Sequence, residues 1–343
     1  MALLGNNALT LSDWRKRTAP DGSIDFIIEA LLNSNPIMDD VTWMQGNLPT
    51  GNKTTIRTSM PKPSIRRINR GIENHKSQTE NVTDTCIILE DRSEVDIELL
   101  ALAANPEAFR RSEDAAFVGG FSDAIAANLF YGDSDNLGEE FNGIWKRYQG
   151  KGYGTSAYKN KAPYQVVSAG TAGTNNTSGY FVGWGTHATT GIYPKNSQMG
   201  LQQRDLGEQT VEDSSGNKYQ AVTTLFTWKA GLAVGDIRSN AVVCNIDMSS
   251  LGSLTDAQQK ALVGKFITAK NRIRNLQSRD KNVVLYVGDE LYNFFELYLL
   301  NKTNVHVTRQ ELMNAAPQLY LSGIPIKKCD AISEEEGAVS AAS

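Results

Sequence analysis

Residues 52–76, NKTTIRTSMPKPSIRRINRGIENHK, decide how the rest of the chain is read. Threonine and isoleucine favour extended backbone, and Pro61 and Pro63 bar the stretch from a helix or a central strand. The composition therefore predicts an extended, exposed ribbon. Lys53, Arg57, Lys62, Arg66, Arg67, Arg70 and Lys76 set seven cations against one acid, Glu73. Residues 77–98 invert the balance: Glu80, Asp84, Glu90, Asp91, Glu94, Asp96 and Glu98 stand against Arg92 alone. Charge blocks of this kind are often simply solvated surface. An extended ribbon with no core of its own, however, needs a partner surface to become ordered. If the ribbon of one copy lay across the acidic stretch and long helix of the next, the contact would be heterologous, the type that closes into rings.

Just before the ribbon, GNLPTGNKTT from Gly46 nearly spells a phosphate-binding loop. Asn52 occupies the lysine position, no apolar strand precedes Gly46, and the prolines that follow forbid the helix whose N-terminus would hold the phosphates. These glycines read as a turn, and no cofactor is expected.

Beyond the acidic block, Asn105 is a good helix N-cap, with Pro106 at the first helical position and Glu107 in the first turn. Phe117, Phe121, Ala124, Ile125, Asn128 and Leu129 keep to one face until Gly132 stops the run. From Pro106 to Tyr131 such a helix would span about 39 Å. Gly119 and Gly120 inside it each cost about 1 kcal/mol relative to alanine, which predicts a close backbone approach or a bend. Upstream, Ile24, Ile27, Ile28, Leu31 and Leu32 form a short amphipathic helix ended by Pro36, so the first 45 residues read as an arm. Downstream, residues 133–180 read as surface loops. Strands follow in YFVGW, GIYP, YQAVTTLFTW and NAVVCNID, making a β-rich body. The helix TDAQQKALVGKFITAKNRIRN, the strand VVLYV, the helix DELYNFFELYLLNK and short strands around LSGIPIKKC suggest a small α/β lobe. The tail SEEEGAVSAAS reads as a loose end.

The chain has 343 residues, 40% hydrophobic and 21% charged, with 34 basic against 38 acidic side chains. That is an ordinary globular composition, and its slightly negative balance argues against a protein whose main task is gripping a nucleic-acid backbone. Cys86, Cys244 and Cys329 are too far apart for a disulfide framework or a zinc site and read as reduced thiols. No apolar run is long enough for a membrane span. His75, His187 and His306 are isolated; a hydrolase built in space from His187 with Asp205 or Glu208 is the one enzymatic alternative. Otherwise no catalytic, metal or cofactor residues are expected.

The elements SDWRKRTAPDG, NLPTGNKTTIRT, EAFRRSEDAAF, LFYG, EEFNGI, GIYPK, GLQQRDLGE and KKCDAI occur in order along the chain. Taken together they resemble the major capsid proteins of short-tailed phages similar to epsilon 15, over essentially the whole length. The resemblance implies an α+β, Hong Kong 97-like capsid fold. Residues 1–45 would be the N-terminal arm and 46–92 the E-loop. Residues 93–249 would be the peripheral domain with its spine helix at 106–131, residues 250–330 the axial domain, and 331–343 the tail. The β-rich stretch precedes the α/β one here, the reverse of the founding fold, so a permuted connectivity is open.

The function implied is a major capsid protein forming hexamers and pentamers of an icosahedral shell around double-stranded DNA. Such a protein would be located in the virion capsid and assembled in the host bacterial cytoplasm. Its implied partners are its own copies and the packaged DNA, held without sequence specificity and without a membrane; a cement or decoration protein, a scaffold and a portal remain open. Lys53, Arg57, Lys62, Arg66, Arg67 and Arg70 would reach Asp91, Glu94, Asp96 and Glu98 of a neighbour. A nanocompartment shell enclosing cargo enzymes is the competing reading.

Overall fold

A computed structural model describes residues 35–135, 140–154, 161–170, 173, 175–213, 215–274, 276, 281–300, 306–310 and 318–342. The helix expected at residues 24–32 lies outside them. Two compact units emerge, each gathered from separate stretches of chain.

One unit comprises Ile88–Ile125 and Gln198–Lys229. Its long helix, Pro106–Tyr131, is capped as expected, the Asn105 side chain accepting from Ala108 N–H at 3.1 Å. Phe117 stacks on Phe226 with ring centroids 5.6 Å apart, and Val95, Leu99, Leu100, Ala103 and Phe109 form a small apolar core. The strand Leu201–Glu212 pairs antiparallel with the strand Lys218–Val234, in register from Leu201↔Trp228 to Glu212↔Lys218. The first of these strands escapes sequence patterning because its apolar residues are sparse and do not alternate. Backbone pairing holds it, with a bulge at Asp205/Gly207 where Gly207 takes a positive φ of 71°.

The other unit holds the larger core. The strand Asn176–Trp184 is buried along its whole length and lies between the strands Ala241–Asp247 and Asn282–Val287, both antiparallel to it. The strands Ile324–Lys328, Gln318–Leu321 and Val307–Gln310 extend the sheet from Asn282–Val287. The α/β stretch thus shares one sheet with the β-rich stretch before it. The helix Asp256–Arg272 brings Phe266 onto Phe181, and the helix Asp289–Tyr298 brings Phe295 edge-on to Phe266. A Cβ on Gly179 would lie 2.4 Å from the Phe266 ring, so only glycine leaves that ring its place. Thr255 opens the first of these helices with a capping box to Gln258.

Two loop expectations are corrected. Residues 133–180 are not merely surface: Phe141, Ile144 and Tyr148 are fully buried, and the Tyr148 hydroxyl donates to Ile237 O at 2.8 Å. The tail is not loose either. Glu336 and Val339 are buried, and Asn245 makes paired bonds to Val339 N and O, both 2.8 Å. Isolated apolar residues among glycines carry no period, so only tertiary partners reveal their burial.

Candidate assembly site

The basic ribbon folds as a β-hairpin. The strand Gly51–Ser59 pairs antiparallel with the first part of the strand Gln78–Asp96, from Gly51↔Thr85 to Ser59↔Gln78. Its root explains the glycines that imitate a phosphate loop. Leu48 and Gly51 exchange backbone bonds of 3.0 and 3.3 Å across the turn at Pro49–Thr50. The Asn47 side chain then binds Lys53 at both N–H (2.8 Å) and C=O (2.7 Å), acting as one more rung of ladder. A Cβ on Gly51 would meet Asp84 O at 2.0 Å, and one on Gly231 would meet Thr85 O at 2.5 Å. Beneath the hairpin, buried Asp84 pairs with Arg147 at 2.8 Å. The same guanidinium donates to Asn142 O and Leu232 O, each at 2.8 Å, so the charge is bonded on several sides.

From residue 60 to 77 the chain leaves the ladder and every residue is exposed. Ile65 is 97% and Ile68 91% exposed, with Met60 and Ile72 also open to solvent. Lys53, Arg57, Lys62, Arg66, Arg67 and Arg70 are all exposed. Among the described residues none of them forms an ion pair within the chain. Apolar and cationic side chains thus project together without ion-pair partners among the described residues, Arg66 bonding only to the Arg70 carbonyl at 3.3 Å, and this dual character suits an interface.

The acidic residues divide. Asp91 and Glu98 are exposed; Glu94 and Asp96 are half-buried, and Asp96 caps the helix Ile97–Ala101 by accepting from Glu98 N–H at 2.9 Å. None of the four is ion-paired within the chain among the described residues. Nearby lies an apolar groove of about 430 Å³, lined by Leu89, Ala116, Phe117, Gly120, Phe121 and Ala124 and bordered by Glu90 and Asp91. Here the expectation changes for Gly120. The helix runs unbroken, and a Cβ at Gly120 would meet nothing within 4 Å. The glycine keeps the groove open.

Two motif residues invisible as a pair in the sequence meet here. Arg110 holds Asp205 with two bonds, Nη1–Oδ2 at 3.0 Å and Nη2–Oδ1 at 2.6 Å, and also reaches Thr224. The hydrogen bond to Arg110 draws the Asp205 carboxyl below its ordinary range. Asp114, one turn further on, accepts from Gln203 at 3.0 Å, and burial raises its pKa. Asp205 is therefore committed to Arg110 rather than to an acid/base pair with His187. Among the described residues no cluster could hold a metal ion, and no helix is long and apolar enough to cross a membrane.

The architecture matches the capsid structure of bacteriophage Epsilon15 with a TM-score of 0.75 and 28% identity, covering 99% of this chain and 100% of that one. The bacteriophage JBD30 capsid matches at a TM-score of 0.47 and 12% identity, over 88% and 93% of the two chains. An encapsulin from Synechococcus elongatus matches at 0.42 and 11%, over 70% and 96%. Among curated proteins none matches. Fold and comparison together define a capsid protein of the Hong Kong 97 type. Residues 19–340 match the family model of major capsid protein GP7, and the chain belongs to that family.

Proposed function

We propose that copies of this chain close into hexamers and pentamers of an icosahedral shell around double-stranded DNA. In this shell the basic hairpin of one copy seats on the acid-bordered groove of the next. The observation that carries the contact is the tip itself, eighteen exposed residues at 60–77 that combine bare isoleucines with cations that form no ion pair among the described residues. The groove offers the complementary pair of properties: an apolar floor and two carboxylates. Ile65 and Ile68 would enter the floor while Arg66, Arg67 and Arg70 meet Asp91, Glu94, Asp96 and Glu98. Exposed ion pairs contribute about 0–1 kcal/mol each, so they set register while apolar burial and the number of copies supply strength.

On this reading residues 1–45 are an arm, 46–92 the E-loop, 93–249 the peripheral domain, 250–330 the axial domain and 331–343 a fastened tail. The work is assembly rather than catalysis, in the virion, after assembly in the host bacterial cytoplasm. Cement, scaffold and portal proteins are its candidate partners. Arg66→Glu combined with Arg67→Glu should stop shell formation while the monomer keeps its fold, as judged by electron microscopy and circular dichroism. Normal particles from that variant would overturn the contact. Nucleic acid within purified wild-type particles supports the capsid reading; enclosed enzyme cargo without nucleic acid would favour a nanocompartment.

A further inference from the structure

Glu336 is buried, yet no cation touches it among the described residues. Its neighbours come from four elements. Tyr131 at the end of the long helix lies 2.6 Å from Oε1, and Tyr180 of the central strand 2.7 Å from the same oxygen. Ser178 Oγ contacts Oε2 closely, and Gln149 Nε2 lies 3.3 Å from it. The buried Cys244 thiol, pushed up to about 12 chiefly by burial, completes the titratable surroundings.

The protons of this cluster can be counted. Tyr180 also lies 2.9 Å from Gln149 Oε1, and Gln149 Nε2 lies 2.6 Å from Ser178 Oγ. Four oxygen–oxygen contacts therefore each need a proton: Tyr131 to Glu336, Tyr180 to Glu336, Tyr180 to Gln149 and Ser178 to Glu336. Tyr131, Tyr180 and Ser178 own only one hydroxyl proton each. Turning the Gln149 amide over does not help. The Tyr180 contact then gains an amide proton, but Ser178 is left between two acceptor oxygens with a single proton. In either orientation one proton is missing, and the carboxyl group is its only remaining source.

We propose that Glu336 is held as the neutral carboxylic acid, and that its proton is the catch fastening residues 331–342 to the body of the protein. Glu336 is the central tie of that segment. Its backbone N–H donates to Asn176 O at 2.8 Å, Ser333 N–H donates to the Tyr131 hydroxyl at 2.9 Å, and Ala342 N–H donates to Tyr153 O at 2.9 Å. Loss of the proton would leave a buried anion with no cation beside it and one oxygen–oxygen contact without a proton, which burial disfavours although the hydroxyls and the Gln149 amide still donate to it. Burial accordingly raises the Glu336 pKa. The sign follows: a raised carboxyl fastens fully below the ordinary glutamate range, and the fastening is lost as pH climbs through the raised value.

The test is hydrogen exchange of residues 331–342 in the full chain, read as the wild-type rate relative to that of Glu336→Gln. The glutamine amide can donate where the acid did but cannot ionise. Glu336→Gln should stay protected throughout, while the ratio rises by up to about tenfold per pH unit once the proton is lost. A ratio that stays flat from about pH 5 to about pH 9 would overturn the proposal. So would a Glu336→Gln variant as exposed as Glu336→Ala at the acid end. Infrared spectra of the wild type at about pH 5.5, where an ordinary glutamate is mostly ionised, should contain a neutral buried carboxyl band that persists in Asp114→Asn, since burial raises Asp114 as well, and disappears in Glu336→Gln. Its absence would also overturn the proposal.

Discussion

Arg147 and Asp84 set the most sensitive ionic contact at the scale of single residues. Both side chains are largely withdrawn from water, so removing one strands the other's charge. Arg147→Ala should cost about 3–5 kcal/mol, seen as a lower denaturation midpoint. Arg110 and Asp205 differ, because Asp205 stays mostly exposed. Arg110→Lys should lose the two-pronged geometry and only about 1 kcal/mol of stability, measured in the same way. Neither pair was legible in the sequence. Asp84 was counted in an acidic block and Arg147 in a loop, and spacing alone cannot match partners brought together by tertiary folding. Asn105 was legible because a cap acts on its own local backbone. Glu336 was hidden in a tail read as a loose end for the complementary reason: an acidic run looks polar whatever later covers one of its members.

Among the described residues, the two elements with the strongest local signal were read correctly. The long helix appears with its expected bounds, Pro106–Tyr131, since cap, first-turn proline and apolar face all agree. The basic hairpin was foreseen as an extended exposed ribbon, because prolines and charge exclude the alternatives. The strand Leu201–Glu212 was missed, as it lives on backbone pairing with a neighbour. Gly120 shows how an element carries function at a local cost. Gly120→Ala should stabilise the helix by about 1 kcal/mol, because nothing blocks the new Cβ. Gly120→Leu should also leave the helix intact yet hinder assembly by filling the groove, a divergence that thermal melts and particle yields would separate. At the hairpin root, Gly231→Ala should lower stability, since its Cβ would press on Thr85 O at 2.5 Å.

The whole molecule is a subunit whose most conspicuous surface features are complementary but belong to different copies in the proposed shell. A contact of that type is directional, and repeated around an axis it closes a ring. Part of it is electrostatic, so added salt should slow assembly, as followed by light scattering. The central claim, that the chain builds a closed shell through hairpin-on-groove contacts, is tested most directly by a cryo-electron microscopy reconstruction of particles assembled from the purified chain. It should contain six- and five-fold rings in which residues 60–77 of each copy lie over Leu89, Phe117 and Phe121 of its neighbour. Particles in which that groove stays empty while the hairpin tip points to solvent would contradict it.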